Sequence, residues 1–188
     1  MGDSVAPPPG NLVIVTGPSH VGKSTLIREL LKRAAPPAAT VAIDEVIQRV
    51  ELPPEELWER GLGLAYDAAA AEVEQLLGQG TLVFYESTFT YVPPDDRPAE
   101  FHAHQLERLL SLGPRFGVRV IVLHLYAPLQ HITRRQRETG RLSTRIAEEA
   151  WHQHATASVE ASTLRRLNTS KHSPSVLADA IAEEVGIV

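Results

Sequence analysis

Lys23 and Ser24 close the run Gly17-Pro18-Ser19-His20-Val21-Gly22-Lys23-Ser24, and that order of residue types suits one kind of chemistry. The pattern is G-x-x-x-x-G-K-S, the phosphate-binding loop called Walker A. Its glycines let the backbone curl until N–H groups converge on phosphate oxygens, and the helix that follows adds the positive end of its dipole. Lysine reaches the β- and γ-phosphates, and the serine hydroxyl ligates Mg²⁺. Gly17 through Ser24, with Thr25 next in line, are therefore candidate contacts for a nucleoside triphosphate, and ATP with Mg²⁺ is the cofactor pair they imply. Lys23 reads as an exposed cation at the edge of the loop, with its catalytic charge free to meet the phosphoryl group.

Two acids fall where a triphosphate site needs them. Asp44 follows the apolar run Val41-Ala42-Ile43, and Glu86 ends Leu82-Val83-Phe84-Tyr85. In an open parallel sheet, ligands bind beyond the carboxyl ends of the strands, so both acids should share a crevice with the loop. Asp44 there takes a proton from an attacking hydroxyl, helps hold the metal, or serves as a helix N-cap. Glu86 sits where a strand paired beside the first carries the acid of the magnesium shell, with capping of the next segment as the alternative.

A dense basic cluster, Arg134-Arg135-Gln136-Arg137 and Arg141 with Arg145 beyond, follows the apolar strand Val120–Tyr126. Phosphoryl transfer needs cations to neutralise charge spreading over the γ-phosphate, so Arg137 and Arg141 are candidate catalytic groups; a solvated charged face is the plainer reading. The pairs His102/His104 and His152/His154 have i,i+2 spacing on expected helices, which points each pair at different faces and argues against a metal site.

The elements that must position these residues alternate between short β-branched runs and longer amphipathic stretches, the signature of a parallel sheet covered by helices. Strands are expected at about Asn11–Thr16, Thr40–Ile43, Thr81–Tyr85, Val118–Tyr126 and Leu164–Asn168. Helices are expected at about Lys23–Ala34, Asp44–Val50, Pro54–Leu77, Pro98–Leu112, Pro128–Thr139, Thr144–Ser162 and Pro174–Val185. Gly113-Pro114 and the other glycine and proline clusters are expected between elements. The 188 residues form one expected domain, with residues 1–10 a loose proline-rich lead-in, about 45–105 the acceptor region and about 135–145 a lid. There are no cysteines, so disulfides and thiolate metal sites are excluded, and a cytoplasmic location is expected. Net charge is −5, which offers no global attraction to nucleic acid, and no apolar run is long enough to span a bilayer.

With these residues in place the chain resembles the chloramphenicol phosphotransferase family, with zeta-toxin and polynucleotide-kinase ATPases behind it. The likeness rests on Leu12–Leu31, Val41–Ile47, Val83–Phe89, Val120–Arg141 and Leu167–Ser170 with Ser173-Pro174. It implies a three-layer α/β/α phosphate-loop fold whose five-stranded parallel sheet is ordered 2-3-1-4-5. It implies Asp44 as the base for the acceptor hydroxyl and Arg135 as the arginine packed on adenine. It implies the later arginines as a lid and Asn168-Thr169-Ser170 as the loop bordering the base. Glu86-Ser87-Thr88 departs from the family's more usual Asp at that strand end.

The leading expectation is an ATP-dependent phosphotransferase acting on a hydroxyl of a small molecule. A nucleotide switch or ATPase module, and a nucleotide or polynucleotide kinase, are the alternatives. Between Glu45 and Gln105 there are twelve Asp/Glu and three Lys/Arg, which disfavours a polyanionic acceptor and points to a neutral or cationic one such as an antibiotic or related natural product. Trp58, Tyr66 and the Phe89–Tyr91 turn are expected to supply aromatic walls for it. No membrane partner is expected, and oligomeric state is left open.

Overall fold

Five strands whose apolar side chains point alternately to both faces need cover on both sides, and the chain supplies it. The computed structural model describes residues 11–35, 37–50, 61–87, 98–140 and 163–187, with side chains from 104 onward in the fourth span. In chain order these are β1 (Leu12–Thr16), α1 (Lys23–Leu31), β2 (Ala38–Ala42), α2 (Ile43–Arg49), α3 (Leu62–Gly78), β3 (Leu82–Glu86), α4 (Pro98–Phe116), β4 (Val120–Tyr126), α5 (Leu129–Thr139), β5 (Leu164–Asn168) and α6 (Pro174–Ile181). Every strand pairing is parallel and the order is β2-β3-β1-β4-β5, as expected. Among the described residues no helix is long and apolar enough to cross a membrane.

One face of the sheet packs Leu12, Ile14, Val83 and Val122 against Val46 of α2, Ala65, Ala69 and Val73 of α3, and Leu109 of α4. The other packs Val13, Val15, Phe84 and Leu123 against Leu26, Ile27 and Leu30 of α1 and Leu177, Ala178 and Ile181 of α6. β1 thus leads into a helix on one face and its neighbour β3 into a helix on the opposite face. The two helices lie on opposite faces, and the crevice beyond the carboxyl ends of β1 and β3 is where an open α/β sheet binds ligands.

The expected Gly113-Pro114 break is corrected: α4 runs through it to Phe116. Proline costs a helix the bond from its own missing N–H, but here little helix remains, and Gly117 at φ 65° ends it while Val118 N–H returns to the Gly113 carbonyl at 3.0 Å. α6 stops at Ile181, short of the expected Val185. Its start matches expectation, with Pro174 in the first turn and Ser173 Oγ accepting from Val176 N–H at 3.3 Å. The early part of the expected helix from Pro54, that over Thr144–Ser162, the lead-in, Trp58, Phe89–Tyr91, Arg141 and Arg145 lie outside the described residues.

Candidate active site

The turn after β1 is built by glycines. Gly17 has φ 137°, and a Cβ there would stand 2.2 Å from the Leu125 carbonyl oxygen, so no side chain fits. Gly22, at φ 106°, is the N-cap of α1. Between them His20 takes φ 62° without being glycine. This turn wraps Lys23 inward: its Nζ donates to the carbonyls of Gly17 at 3.0 Å and Pro18 at 3.1 Å. Lys23 is 6% exposed, which corrects the expectation of an exposed edge residue. Burial pulls its pKa down to about 8, against the opposing pull of Glu86 and Asp44.

Glu86 comes from the end of β3, whose residue pairs place it beside Val15 of β1. Its Oε1 accepts from Ser24 Oγ at 2.7 Å. Burial raises the Glu86 carboxyl above its ordinary value, while the Ser24 bond and Lys23 draw it back. Asp44 lies in the first turn of α2, whose N-cap is Ala42 with no side-chain cap bond. The capping reading of Asp44 therefore drops out: the helix begins one residue early, at Ile43. The exposed Asp44 carboxylate is left to face the crevice.

A cavity of about 820 Å³ occupies that crevice. Ser19 through Leu26, Arg28, Asp44, Glu86, Arg135 and Thr169 are among its walls. A groove of about 400 Å³ adjoins it between α1 and β2–α2, walled by Thr40, Gln48, Glu45 and Ser87, and shares Lys23, Ser24, Arg28, Asp44 and Glu86 with it. Of the expected β5-loop contacts only Thr169 reaches the cavity. Asn168 and Ser170 bond each other instead, Asn168 Oδ1 accepting from Ser170 N–H at 3.0 Å and Ser170 Oγ at 2.7 Å. Arg137 is exposed on α5 and lines neither space. Gly17 and Pro18 form the loop's buried base and act on the cavity only through Lys23.

Arg28 is the residue that motif reading passed over. It sits four residues after Ser24, hence on the same face of α1, with its side chain tilted back toward the loop. It lines both spaces. The i,i+4 spacing from the motif serine was the available signal. Tyr66, in contrast, is 3% exposed in the core, its hydroxyl 3.0 Å from Ser87 Oγ, so it is no acceptor wall. The acid excess of the middle segment is also spent elsewhere in part. Glu72 pairs with Arg49 at 2.8 Å, Glu74 with Arg115 at 2.9 Å, and Asp67 with Arg108. The described carboxylates of that stretch that line a cavity are Glu45 and Glu86, joined by Asp44 and Glu138 from either side of it.

Ser24 and Glu86 present oxygen donors to one point on the crevice floor. A hard cation that keeps most of its shell for waters and phosphate oxygens needs little more from protein, so these two residues fit Mg²⁺. Among the described residues no three His, Cys, Asp or Glu side chains gather into a self-sufficient metal site.

Solved structures share this architecture. The tunicamycin resistance protein of Deinococcus radiodurans superposes with a TM-score of 0.63 at 17% identity, over 95% of this chain and 97% of that one. The APS kinase of Mycobacterium tuberculosis, solved with AMPPNP and APS, gives 0.61 at 16% identity over 94% and 98%. Thymidylate kinase of Candida albicans gives 0.57 at 12% identity over 94% and 91%. At such identities the likeness concerns the fold, which is a kinase-like phosphate-loop fold. No curated protein sequence matches the chain. Residues 12–162, from the first strand of the sheet through the arginine-rich segment, match the AAA domain, and the chain belongs to that family.

Proposed function

We propose that this protein is an ATP-dependent phosphotransferase that moves the γ-phosphate to a hydroxyl of a small neutral or cationic molecule. One observation carries the reading: a cavity of about 820 Å³ built on the phosphate loop and a groove of about 400 Å³ meet at Lys23, Ser24, Asp44 and Glu86. A triphosphate laid along the loop brings its terminal phosphate to the place where a second molecule, seated in the groove, meets the same carboxylate. A switch or simple ATPase has no need of that second compartment.

The roles follow from position. The loop amides and α1 hold the phosphates, Lys23 supplies charge to the β- and γ-oxygens, and Ser24 and Glu86 hold Mg²⁺. Held by Ser24 and Glu86, a divalent cation would supply positive charge against the phosphate oxygens. Asp44 accepts a hydrogen bond from the acceptor hydroxyl, orients it in line and takes its proton as the new oxygen–phosphorus bond forms, while the bond from the γ-phosphorus to the β,γ-bridging oxygen breaks and ADP leaves. Arg137 and Arg141 serve as the lid cations, and Thr169 borders the nucleotide cavity while the Asn168–Ser170 bonds hold its turn. The solved neighbours support the reading, since two of them are kinases and one of these was solved with a triphosphate analogue. A tunicamycin resistance protein among them favours natural products as a class to screen.

The test is to incubate purified protein with ATP, Mg²⁺ and a panel of hydroxyl compounds and to look by mass spectrometry for an added phosphate. ATP consumption should stay near background until the acceptor is present. Equal hydrolysis with and without every acceptor, and no phosphorylated product, would favour the ATPase module instead.

A further inference from the structure

Arg135 is expected, by resemblance, to lie on a nucleobase; its observed partners are backbone carbonyls and the Thr169 hydroxyl. Nη1 donates to the Val21 carbonyl at 2.9 Å, to Thr169 Oγ1 at 3.1 Å and reaches the His20 carbonyl at 3.5 Å; Nη2 donates to the Thr169 carbonyl at 2.7 Å. Thr169 Oγ1 itself donates to the Val21 carbonyl at 2.7 Å. One guanidinium therefore ties the phosphate loop, after β1, to the turn after β5, across 114 positions of sequence to Val21 and 34 to Thr169.

The bonds fall on the strained part of the loop. Among the described residues His20 is the one non-glycine held at positive φ, a conformation an L side chain resists. Such a residue persists only where its surroundings over-determine it. The carbonyls of His20 and Val21 also carry the wrong sign for a phosphate site. Across a trans peptide, N–H and C=O point opposite ways, so drawing the Val21 carbonyl toward Arg135 turns the Gly22 N–H away from it. We propose that Arg135 is a positioning residue: with Thr169 it clamps the His20–Val21 carbonyls and keeps the phosphate loop in its anion-binding shape before any nucleotide arrives. The ligand it serves is the polyphosphate chain, whatever base is attached. This rests on the phosphate-loop reading above, and the experiment separates the two.

Calorimetric titration of ATP and of inorganic tripolyphosphate, each with Mg²⁺, is compared for wild type, Arg135→Ala, His20→Gly and the double variant. A clamp lost in Arg135→Ala weakens both ligands alike, by about tenfold or more. Glycine takes the left-handed conformation without strain, so the double variant regains part of the tripolyphosphate affinity, and the two changes are not additive. Arg135→Lys, which can serve only part of the set of acceptors, falls between, and it replaces Arg135→Ala if circular dichroism shows that variant unfolded. Weaker ATP binding with unchanged tripolyphosphate binding would overturn the clamp and leave base packing as the role of Arg135. Strictly additive effects would overturn it as well. If wild type binds neither ligand, the phosphate-loop reading itself falls, and the clamp with it.

Discussion

Ser24 Oγ donates to Glu86 Oε1 at 2.7 Å across 62 residues of sequence. The bond joins the first turn of α1 to the tip of β3, the strand paired beside β1. The carboxylate is partly desolvated there, and that burial raises its pKa above the ordinary value against the pull of the Ser24 bond and Lys23. Glu86→Gln keeps an oxygen for Ser24 and removes only the charge. Turnover at limiting Mg²⁺ should fall about tenfold or more, while the melting temperature without ligand changes little. A Mg²⁺ titration of initial rate checks this; an unchanged Mg²⁺ dependence would remove Glu86 from the metal shell.

Lys23 gives a pH signature. Its folded pKa is about 8 against an ordinary 10.5, so between those values the unfolded chain holds more protons than the folded one. Stability of the ligand-free protein therefore rises as pH climbs from about 8 to 10.5. Phosphate favours the charged amine, so triphosphate binding near pH 8.5–9 (on the order of half a unit to one unit above that pKa) takes up protons. Calorimetry in buffers of different ionisation enthalpy measures the uptake. Lys23→Met, of similar length without the charge, should abolish both the uptake and phosphoryl transfer; a proton uptake that survives in this variant would assign it to another group.

Asp44 does not cap α2, so Asp44→Asn tests chemistry with little effect on folding. Turnover should fall by about 10²–10⁴-fold with ATP affinity nearly unchanged. Single-turnover rates and an ATP titration on the same preparation decide it. A large drop in melting temperature with normal turnover per folded molecule would return Asp44 to a structural role.

Arg28 faces both spaces from α1, and among the described residues its guanidinium has no hydrogen-bond or ion-pair partner. A cation so placed meets the phosphoryl group or the acceptor. Arg28→Ala should raise the acceptor KM or lower kcat by about tenfold, with ADP affinity little changed. If ADP affinity falls as much as turnover does, Arg28 acts on the nucleotide as a whole.

Much of this was open to reading along the chain. Glycine spacing and the lysine–serine pair define the loop because backbone freedom and residue type act within a few positions. The β-branched runs mark the strands, and their alternation with helical stretches restricts the fold to a parallel sheet with helices on both faces. The placement of Asp44 and Glu86 at strand ends follows from the same local pattern. What only the tertiary structure decided concerns contacts between distant residues. Lys23 is buried because the loop folds back over its own carbonyls. Asp67, Glu72 and Glu74 are spent on Arg108, Arg49 and Arg115 because α2, α3 and α4 pack side by side. Tyr66 turns into the core because α3 lies on the sheet, and Arg135 meets Val21 and Thr169 because β1, β4 and β5 lie side by side and end at the same edge. A residue's type declares what it can bond; which partner it bonds depends on which distant segments the sheet brings within three ångströms or so, and hydrogen-bond energies act only at that range.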